Sequence, residues 1–547
     1  LVRGDAFLGG GNDTVLLSDD AQYFGDIFAG AGDFTFELSD DSSFRGTVNA
    51  AGNDATVRIS DNALYLGTFE EADNLDVIVE GGTLEAPQGE TLTFDTLEVQ
   101  SGGILAVTID GEDDSQSGFV VNEATFADGS LVSADVQSIT GAEGSYTVLT
   151  AGTLTGTPDL DFAGEVLPLL FTGELNTTDT EITLDLRRKT AEELGLTAPQ
   201  SAGYDAFINA ALETPLLEQS FLDVESEAEL QQQFEGLLPD YAGGPFDFVS
   251  RASRQFSKQL SDGKGFFDIS PVGGWLEPVY FTGSKDTGDT AEFTTDGWGL
   301  SGGIERDFGF GRVGIGLGYA TGSVTNTDRQ DISSSLFELS GHWRVQSGNF
   351  NAFARVSGIR PSFSSTRTFT GELGESEFTY TALGDWEGWA ASAMGGMSYN
   401  LELSKAFSLR PKAAVDYFWL QEDGYQEDGA DEIELLVEDR TSTAATATAS
   451  MALSYRLGRQ RRDNTPLTIE LEGGWRSVLI DDLGNTTSSF LEADTFTVGP
   501  EALSDGWVSE ARIKVGGMDY LWQLGIGAEQ IQGDVDLSAR FSLTVAL

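Results

Sequence analysis

The second half of the sequence alternates between apolar and polar residues with a period of two. The final segment, from Gly533 to Leu547, shows this most clearly, because its alternate positions are apolar: Val535, Leu537, Ala539, Phe541, Leu543, Val545 and Leu547. Successive side chains of a β-strand point to opposite faces, so the pattern predicts a strand with one apolar and one polar face. Such a strand favours a closed barrel in a membrane, since an apolar edge in water promotes aggregation.

The same alternation is repeated about 12 times after Gly263, in segments of roughly 10 residues, the length of a tilted strand that crosses a membrane. Charged residues fall on one face of each segment, which places them in the lumen of the predicted barrel. The lumen-facing candidates are Glu305, Glu338, His342, Arg410, Lys412, Asp416, Glu470, Glu472, Glu510 and Arg512. We interpret His342, the single histidine, as a structural residue of the lumen rather than a catalyst.

Tryptophans near the strand ends are predicted to form the aromatic girdles at the two membrane interfaces: Trp275, Trp298, Trp343, Trp389, Trp419, Trp475, Trp507 and Trp522. A soluble β-sandwich is the alternative interpretation. The strict separation of charged from apolar faces argues against it.

The segment from residue 1 to 186 has a different pattern. Gly11-Asn12-Asp13, Gly32-Asp33 and Gly52-Asn53-Asp54 are about 20 residues apart, and each precedes a short alternating run. This period predicts the rungs of a β-solenoid stacked on an apolar interior. The run from Gly9 to Val15 also resembles the calcium-binding nonapeptide of RTX proteins, which makes Asn12 and Asp13 weak calcium candidates. The alternative is that Asn and Asp simply tolerate tight turns.

Between residues 187 and 262 the apolar period becomes helical. The last helical piece begins at Pro245, and it carries a basic stripe of Arg251, Arg254 and Lys258. This stripe is either an ordinary solvated helix face or the complement of lumen carboxylates. In the second interpretation, its partners are expected among Glu305, Glu338, Asp416, Glu470, Glu472 and Glu510.

Composition excludes several classes of function. The formal charge of −59, from 89 acidic and 30 basic residues, makes nucleic acid an improbable partner. The absence of cysteine and the single histidine exclude thiolate and multi-histidine metal sites, and no cofactor is indicated. No apolar run of about 18 residues predicts a transmembrane helix. Because the sequence opens on Leu1 without a charged and apolar leader, we expect a targeting signal upstream.

Several phrases identify a family resemblance that covers roughly residues 92 to 547. The barrel segment and the residues before it resemble autotransporters of type V secretion in these phrases: Leu237-Leu238-Pro239-Asp240-Tyr241, Gly274-Trp275, Asp296-Gly297-Trp298-Gly299-Leu300, Gly314-Ile315-Gly316-Leu317-Gly318-Tyr319 and Leu409-Arg410-Pro411 with Gly424-Tyr425-Gln426-Glu427. The phrase Tyr146-Thr147-Val148-Leu149-Thr150-Ala151 and the following Leu154-Thr155-Gly156 resemble the autochaperone-like cap of such proteins.

The resemblance implies an all-β protein, with a right-handed β-solenoid passenger segment followed by a 12-stranded outer-membrane β-barrel that contains a pore helix. The implied domains are the solenoid and its cap (1–186), the helical linker and pore helix (187–262) and the barrel translocator (263–547). The implied function is an outer-membrane translocator that displays its own passenger, which we expect to be adhesin-like. The alternatives are an enzymatic passenger upstream of residue 1 and a plain diffusion pore.

The resemblance also implies partners. These are outer-membrane lipid, an unknown surface ligand and the barrel-assembly machinery, which is expected to read Phe541, Leu543, Val545 and Leu547 as an insertion signal. The family usually ends on Phe or Trp, so Leu547 is a departure. We expect a monomeric barrel without enzymatic activity of its own. Some family members cut the passenger by an asparagine attack inside the pore, but no Asn lies between Asn209 and Asn326. The passenger is therefore predicted to stay attached.

Overall fold

The computed structural model describes residues 1–111, 115–161, 167–261, 271–326, 329–374, 376–430, 433–457, 467–491, 494–516 and 520–547. The chain divides into two compact units. The first unit contains residues 1–196, 211–232 and 371–378, and the second contains residues 197–210, 233–370 and 379–547.

The first unit is built from two parallel β-sheets whose strands stack on strands about one rung later in the chain. Val2 pairs with Tyr23 and Phe34 pairs with Ala55, a spacing of about 21 residues. One sheet contains Val2–Arg3, Ala6–Phe7, Gln22–Phe24, Ile27–Phe28, Ser43–Asn49, Leu64–Glu70, Thr83–Ala86, Ile104–Asp110, Ser115–Gln116, Leu131–Val136 and Asp159–Leu160. The other contains Asp13–Leu17, Phe34–Leu38, Ala55–Ser60, Leu75–Glu80, Thr91–Val99, Gly118–Phe126, Gly144–Thr155, Phe171–Thr177 and Glu181–Arg188.

Side chains that recur along the first unit hold its rungs together. Phe36, Phe44 and Tyr65 are fully buried and in ring contact across successive rungs. Asp19 and Asp40 stand 21 residues apart with φ near +55°, a conformation that Asp tolerates in tight turns. The backbone N–H of Asp19 donates to the Asp40 carboxylate at 3.1 Å. The last two strands, Phe171–Thr177 and Glu181–Arg188, pair antiparallel and end the parallel stack.

Four α-helices follow the first unit's sheets: α1 (Ala198–Glu213), α2 (Pro215–Leu222), α3 (Glu227–Glu235) and α4 (Gly244–Ser257), the last continued by a 3₁₀ turn (Lys258–Ser261). Within the described ranges, none of the helices is both long and apolar enough to cross a membrane.

The second unit is a closed antiparallel barrel of twelve described strands, so the predicted strand number is confirmed. They are β1 (Val272–Lys285), β2 (Phe293–Asp307), β3 (Arg312–Asn326), β4 (Gln330–Ser347), β5 (Phe350–Leu373), β6 (Ser376–Tyr399), β7 (Phe407–Glu422), β8 (Arg440–Leu457), β9 (Leu467–Asp482), β10 (Gly506–Gly516), β11 (Tyr520–Gln530) and β12 (Asp536–Ala546). Each strand pairs with the next, and β12 closes the barrel on β1, where Gly274 lies opposite Val545.

We call the mouth where β1 begins and β12 ends the proximal mouth, and the opposite one, at Lys285 and Asn326, the distal mouth. A short strand, Leu401–Glu402, extends β7 at the proximal mouth. A separate four-stranded sheet is formed by connections between barrel strands on the distal side: Tyr425–Gln426, Leu435–Val437, Thr486–Phe490 and Thr495–Val498.

The alternation along β12 turns its apolar side chains outward and its charges inward. On β12, Leu537 and Phe541 are 52% and 40% exposed, whereas Asp536 and Arg540 are buried.

Most of the named tryptophans lie on the outer surface, but the prediction for Trp275 was wrong. Its ring faces the lumen, where it contacts His342 with ring centroids 5.2 Å apart. Trp275 shares its face with buried Glu277, two residues along the strand.

Candidate functional site

The barrel lumen is occupied by α4, whose start is set by local sequence. Gly243 precedes the helix with φ +90°, a conformation that favours glycine, and Pro245 occupies its first turn. The side chain of Asp247 is also in the first turn, where a carboxylate complements the helix dipole. Phe246, Phe248, Val249, Ala252 and Phe256 are buried in one cluster with apolar side chains of the barrel wall.

Glycines on the wall make room for this helix. A Cβ on Gly318 would lie 2.6 Å from the Phe256 ring, and one on Gly299 would lie 3.0 Å from it. Likewise a Cβ on Gly297 would lie 3.0 Å from the Phe248 ring. These glycines belong to the sequence phrases in β2 and β3, and together they leave room for the two rings. We call this surface the glycine wall (Gly297, Gly299 and Gly318).

Arg251 is the most heavily paired residue of the basic stripe. Its guanidinium donates to Asp247 on the same helix at 2.7 Å, to Glu529 on β11 at 2.7 Å and to Asp536 on β12 at 2.8 Å. It also donates to the carbonyl oxygen of Thr282 on β1 at 3.1 Å. This one helix residue is thus bonded to β1 on one side of the closing seam and to β11 and β12 on the other.

The other two stripe residues point to different parts of the wall. Arg254 pairs with Asp416 on β7 at 3.0 Å and stacks over the Phe418 ring at 4.7 Å. Lys258 lies 3.3 Å from the hydroxyl of Ser538 on β12, in the electrostatic field of Glu510 and Glu529. Of the carboxylates named from the sequence as partners of the stripe, Asp416 is in direct contact with it. Glu529 and Asp536, which bind Arg251, were not among the expected partners, because a local period does not show that α4 lies close to the β1–β12 seam.

The remaining predicted lumen residues are buried or half-buried and pair across the wall. Glu305 contacts Arg312, Arg344 and His342; Glu338 contacts Arg355; Glu470 contacts Arg410 and Arg512; and Glu472 contacts Lys412 and Arg512. Glu510 contacts Arg512 and Arg540. Because each such carboxylate has a cation beside it, the cost of removing it from water is offset.

His342 lies within this network. Its Nε2 is 3.4 Å from a Glu305 carboxylate oxygen, and its ring stands edge-on to Trp275. Gly314 provides the space, since a Cβ there would lie 2.4 Å from the imidazole. The contacts orient His342 within the wall.

A second polar network, which the sequence did not single out, lies at the distal mouth. Arg367 on β5 pairs with Glu427, and its Nη1 donates to the carbonyl oxygen of Gly236 at 2.8 Å. Arg440 on β8 pairs with Glu422 on β7 at 2.7 Å and with Asp240 at 2.6 Å. The signal in the sequence for Arg367 and Arg440 is a charge at a lumen-facing position of β5 or β8.

The weak calcium candidates have local partners. Asn12 donates to the Asp33 carboxylate at 2.8 Å, one rung along, and Asp13 begins a strand that pairs with Phe34. Among the residues that the structure describes, no group of three or more His, Cys, Asp or Glu side chains is arranged to hold a metal ion.

The residues named as the insertion signal, Phe541, Leu543, Val545 and Leu547, lie on the outward face of β12 and just beyond it.

Comparisons with known proteins address the barrel. A family model described as the autotransporter beta-domain matches residues 274–537. The chain is similar to the translocator domain of the autotransporter NalP from Neisseria meningitidis, at 16% identity and a TM-score of 0.44, covering 56% of this chain and 99% of that chain. It is also similar to the transport unit of the autotransporter AIDA-I from Escherichia coli, at 16% identity and a TM-score of 0.35, covering 56% of this chain and 99% of that chain.

A third similar structure is the beta domain of the Bordetella autotransporter BrkA, at 12% identity and a TM-score of 0.35, covering 51% of this chain and 100% of that chain. No protein with a curated description matches the chain. The family match runs from the first barrel strand to the start of the last, and the barrel has twelve described strands and a helix in its lumen. Residues 274–537 therefore form an autotransporter β-domain, the outer-membrane translocator of this protein.

Proposed function

We propose that this β-domain exports the segment from residue 1 to 186 to the cell surface and keeps it attached there as an adhesin-like passenger. In this proposal α4 stays behind as the plug of the pore. The distal mouth faces the outside, and outward movement is driven by folding, since each new rung of the solenoid buries apolar surface on the previous one.

The path of the chain through the barrel carries this proposal. Gly244, the first residue of α4, lies against Val324 and Asn326 at the distal mouth. The strand that follows α4 in sequence, β1, begins at the proximal mouth. The chain therefore crosses the lumen once, and in this proposal the exported segment passes through the distal mouth. A plain diffusion pore would have no use for a helix bonded into its lumen.

The remaining partners belong to the same proposal. The barrel-assembly machinery reads the outward residues of β12, outer-membrane lipid surrounds a monomeric barrel, and the passenger meets a surface ligand. The adhesin-like role is supported by the long stacked surface of the first unit, a shape that repeat proteins use for binding.

Surface labelling of intact cells tests the proposal. An epitope placed at the exposed turn around Asp20 should bind antibody on intact cells, and added protease should remove it. A matched epitope in the turn at Gly348, on the proximal side, should become accessible only after the outer membrane is permeabilised. An Asp20 epitope that also requires permeabilisation would overturn the proposal.

A further inference from the structure

The buried side chain of Asp240 lies between α3 and α4, four residues before α4 begins. Each of its carboxylate oxygens has a donor from the barrel. Asn326 Nδ2 on β3 donates to Oδ1 at 2.6 Å, and Arg440 Nη2 on β8 donates to Oδ2 at 2.6 Å. The side chain of Asp240 is thus held between strands from different parts of the distal mouth.

The backbone of the same residue is bound as well. The carbonyl oxygen of Asp240 accepts from Arg440 Nη1 at 2.9 Å and from the hydroxyl of Thr486 at 2.8 Å. Arg440 therefore uses its planar fork on one carboxylate and one carbonyl of a single residue, a geometry that lysine could not reproduce. Thr486 belongs to the separate four-stranded sheet, so a third element contributes.

Arg440 has a partner besides Asp240 that holds its guanidinium in place. Glu422 accepts from Arg440 Nε at 2.7 Å, and the indole N–H of Trp386 donates to Glu422 at 3.1 Å. Because Glu422 already neutralises Arg440, a single passing carboxylate gains little from charge alone. Tight binding needs a carboxylate and a carbonyl presented together in a buried place, and Asp240 provides both.

We propose that Arg440, Asn326 and Thr486 form a carboxylate-binding site at the distal mouth, and that Asp240 fills it when export is complete. This inference rests on the proposed function. The filled site determines the axial position at which the exported chain stops, so that α4 arrives with Phe256 at the glycine wall and Arg251 at the barrel carboxylates of Glu529 and Asp536. Displacement by one residue would move the helix about 1.5 Å and rotate it by about 100°, which separates all of these contacts.

A disulfide can report this position. Ser253 on α4 and Ser392 on β6 have hydroxyl oxygens 3.2 Å apart, and the chain contains no cysteine. In the S253C/S392C variant, pulse-labelled cells under mild oxidant should form the disulfide only when α4 is seated. We expect Asp240→Asn in this background to slow its appearance about tenfold, because the amide has a single acceptor oxygen, so either Asn326 or Arg440 loses its bond to this side chain. The matched control is Asp439→Asn, at an exposed carboxylate next to Arg440.

A double-mutant cycle separates the site from a general structural role of Arg440. If the two residues act as one site, D240N/R440M should be no slower than the slower single variant. Thr486→Val, which removes only a hydroxyl, should slow the disulfide by a smaller factor without preventing folding. Equal rates for wild type, D240N and T486V, or additive effects of D240N and R440M, would overturn the inference.

The same cells distinguish this result from a failure of the proposed function. If the Asp20 epitope never reaches the surface in the parent chain, the export proposal fails. If the epitope reaches the surface and D240N forms the disulfide as fast as the parent, export stands and only the carboxylate site is refuted.

Discussion

Arg251 on α4 and Asp536 at the start of β12 form a buried ion pair, with Nη2 and Oδ2 2.8 Å apart and the side chains 6% and 3% exposed. The same guanidinium binds Glu529 on β11. The lumen helix is therefore bonded to the last two strands, beside the seam where β12 meets β1. Seating of the helix and closure of the barrel stabilise each other.

Removing the cation from this cluster should destabilise the folded barrel. Arg251→Met leaves Asp536 and Glu529 buried without this partner, which costs about 3–5 kcal/mol. We expect a lower midpoint in the heat-induced gel-mobility shift of the folded barrel. Arg306→Met, at an exposed position on β2, is the control and should leave the midpoint unchanged. Equal midpoints for both variants would contradict the role given to Arg251.

Reversing the whole stripe should open the pore. With Glu at positions 251, 254 and 258, the helix would place three carboxylates against Asp416, Glu529 and Asp536, and like charges in the lumen repel. We expect either higher single-channel conductance in planar bilayers or a reduced yield of folded barrel. If conductance and yield both match those of the parent chain, the stripe does not hold the helix in place.

The glycine wall predicts that an added methyl group destabilises the barrel where it faces the lumen helix and not where it faces outward. Gly318→Ala places a methyl group against the Phe256 ring, and overpacking of this kind costs about 1–3 kcal/mol. The heat-shift midpoint should fall, and adding Phe256→Leu should recover part of the loss. Gly358→Ala, with no atom within 4 Å of its Cβ, should be neutral. A neutral G318A would show that α4 does not pack there.

The first unit contains a pH-dependent cluster. Burial, and then the charge of Asp135, raise the pKa of Glu85 from 4.5 to about 7, and its carboxyl accepts from the Thr108 hydroxyl at 3.3 Å. Burial raises the pKa of Asp135 too. Below pH 4.5 Glu85 is protonated in both the folded and the unfolded state. Between pH 4.5 and 7 only the unfolded state releases the proton, so stability falls by about 3 kcal/mol across this window.

Hydrogen exchange of the full-length chain measures this effect. Backbone amides of Ile104–Asp110 should exchange faster at pH 8 than at pH 5 after correction for the intrinsic rate. Glu85→Gln should remove most of the difference, since the amide does not ionise. Glu98→Gln, at an exposed carboxylate on the same unit, should keep it. A pH dependence that E85Q does not reduce would assign the effect to other groups.

The passenger should remain covalently attached. No Asn lies between Asn209 and Asn326, so the asparagine attack used by some family members lacks its residue in α4. Purified membranes, incubated without protease, should show a single polypeptide of 58.4 kDa for this sequence. Serine-protease and metalloprotease inhibitors serve as the control against trace contamination. A free passenger that forms in their presence would show a cleavage reaction of the chain itself.

Local sequence was sufficient to predict the barrel strands and the face of most of their residues. The period of two is a local property of the extended backbone, so Asp536 and Arg540 are assigned to the polar face of β12 without knowledge of any neighbour. The same rule applied to Glu277 would have turned Trp275 inward. Glycine and proline before α4 likewise mark its start, because they act through their own φ angles.

The pairing of the charges depends on contacts between distant parts of the chain. Arg254 and Asp416 are 162 residues apart in the chain, and Arg251 and Asp536 are 285 apart. Their pairing depends on the rotation of α4 and on the stagger of the barrel strands, and neither is encoded in a local period. Asp240 appeared in the sequence as part of a family phrase. Its site exists only because barrel closure and the distal connections bring Asn326, Arg440 and Thr486 to one place.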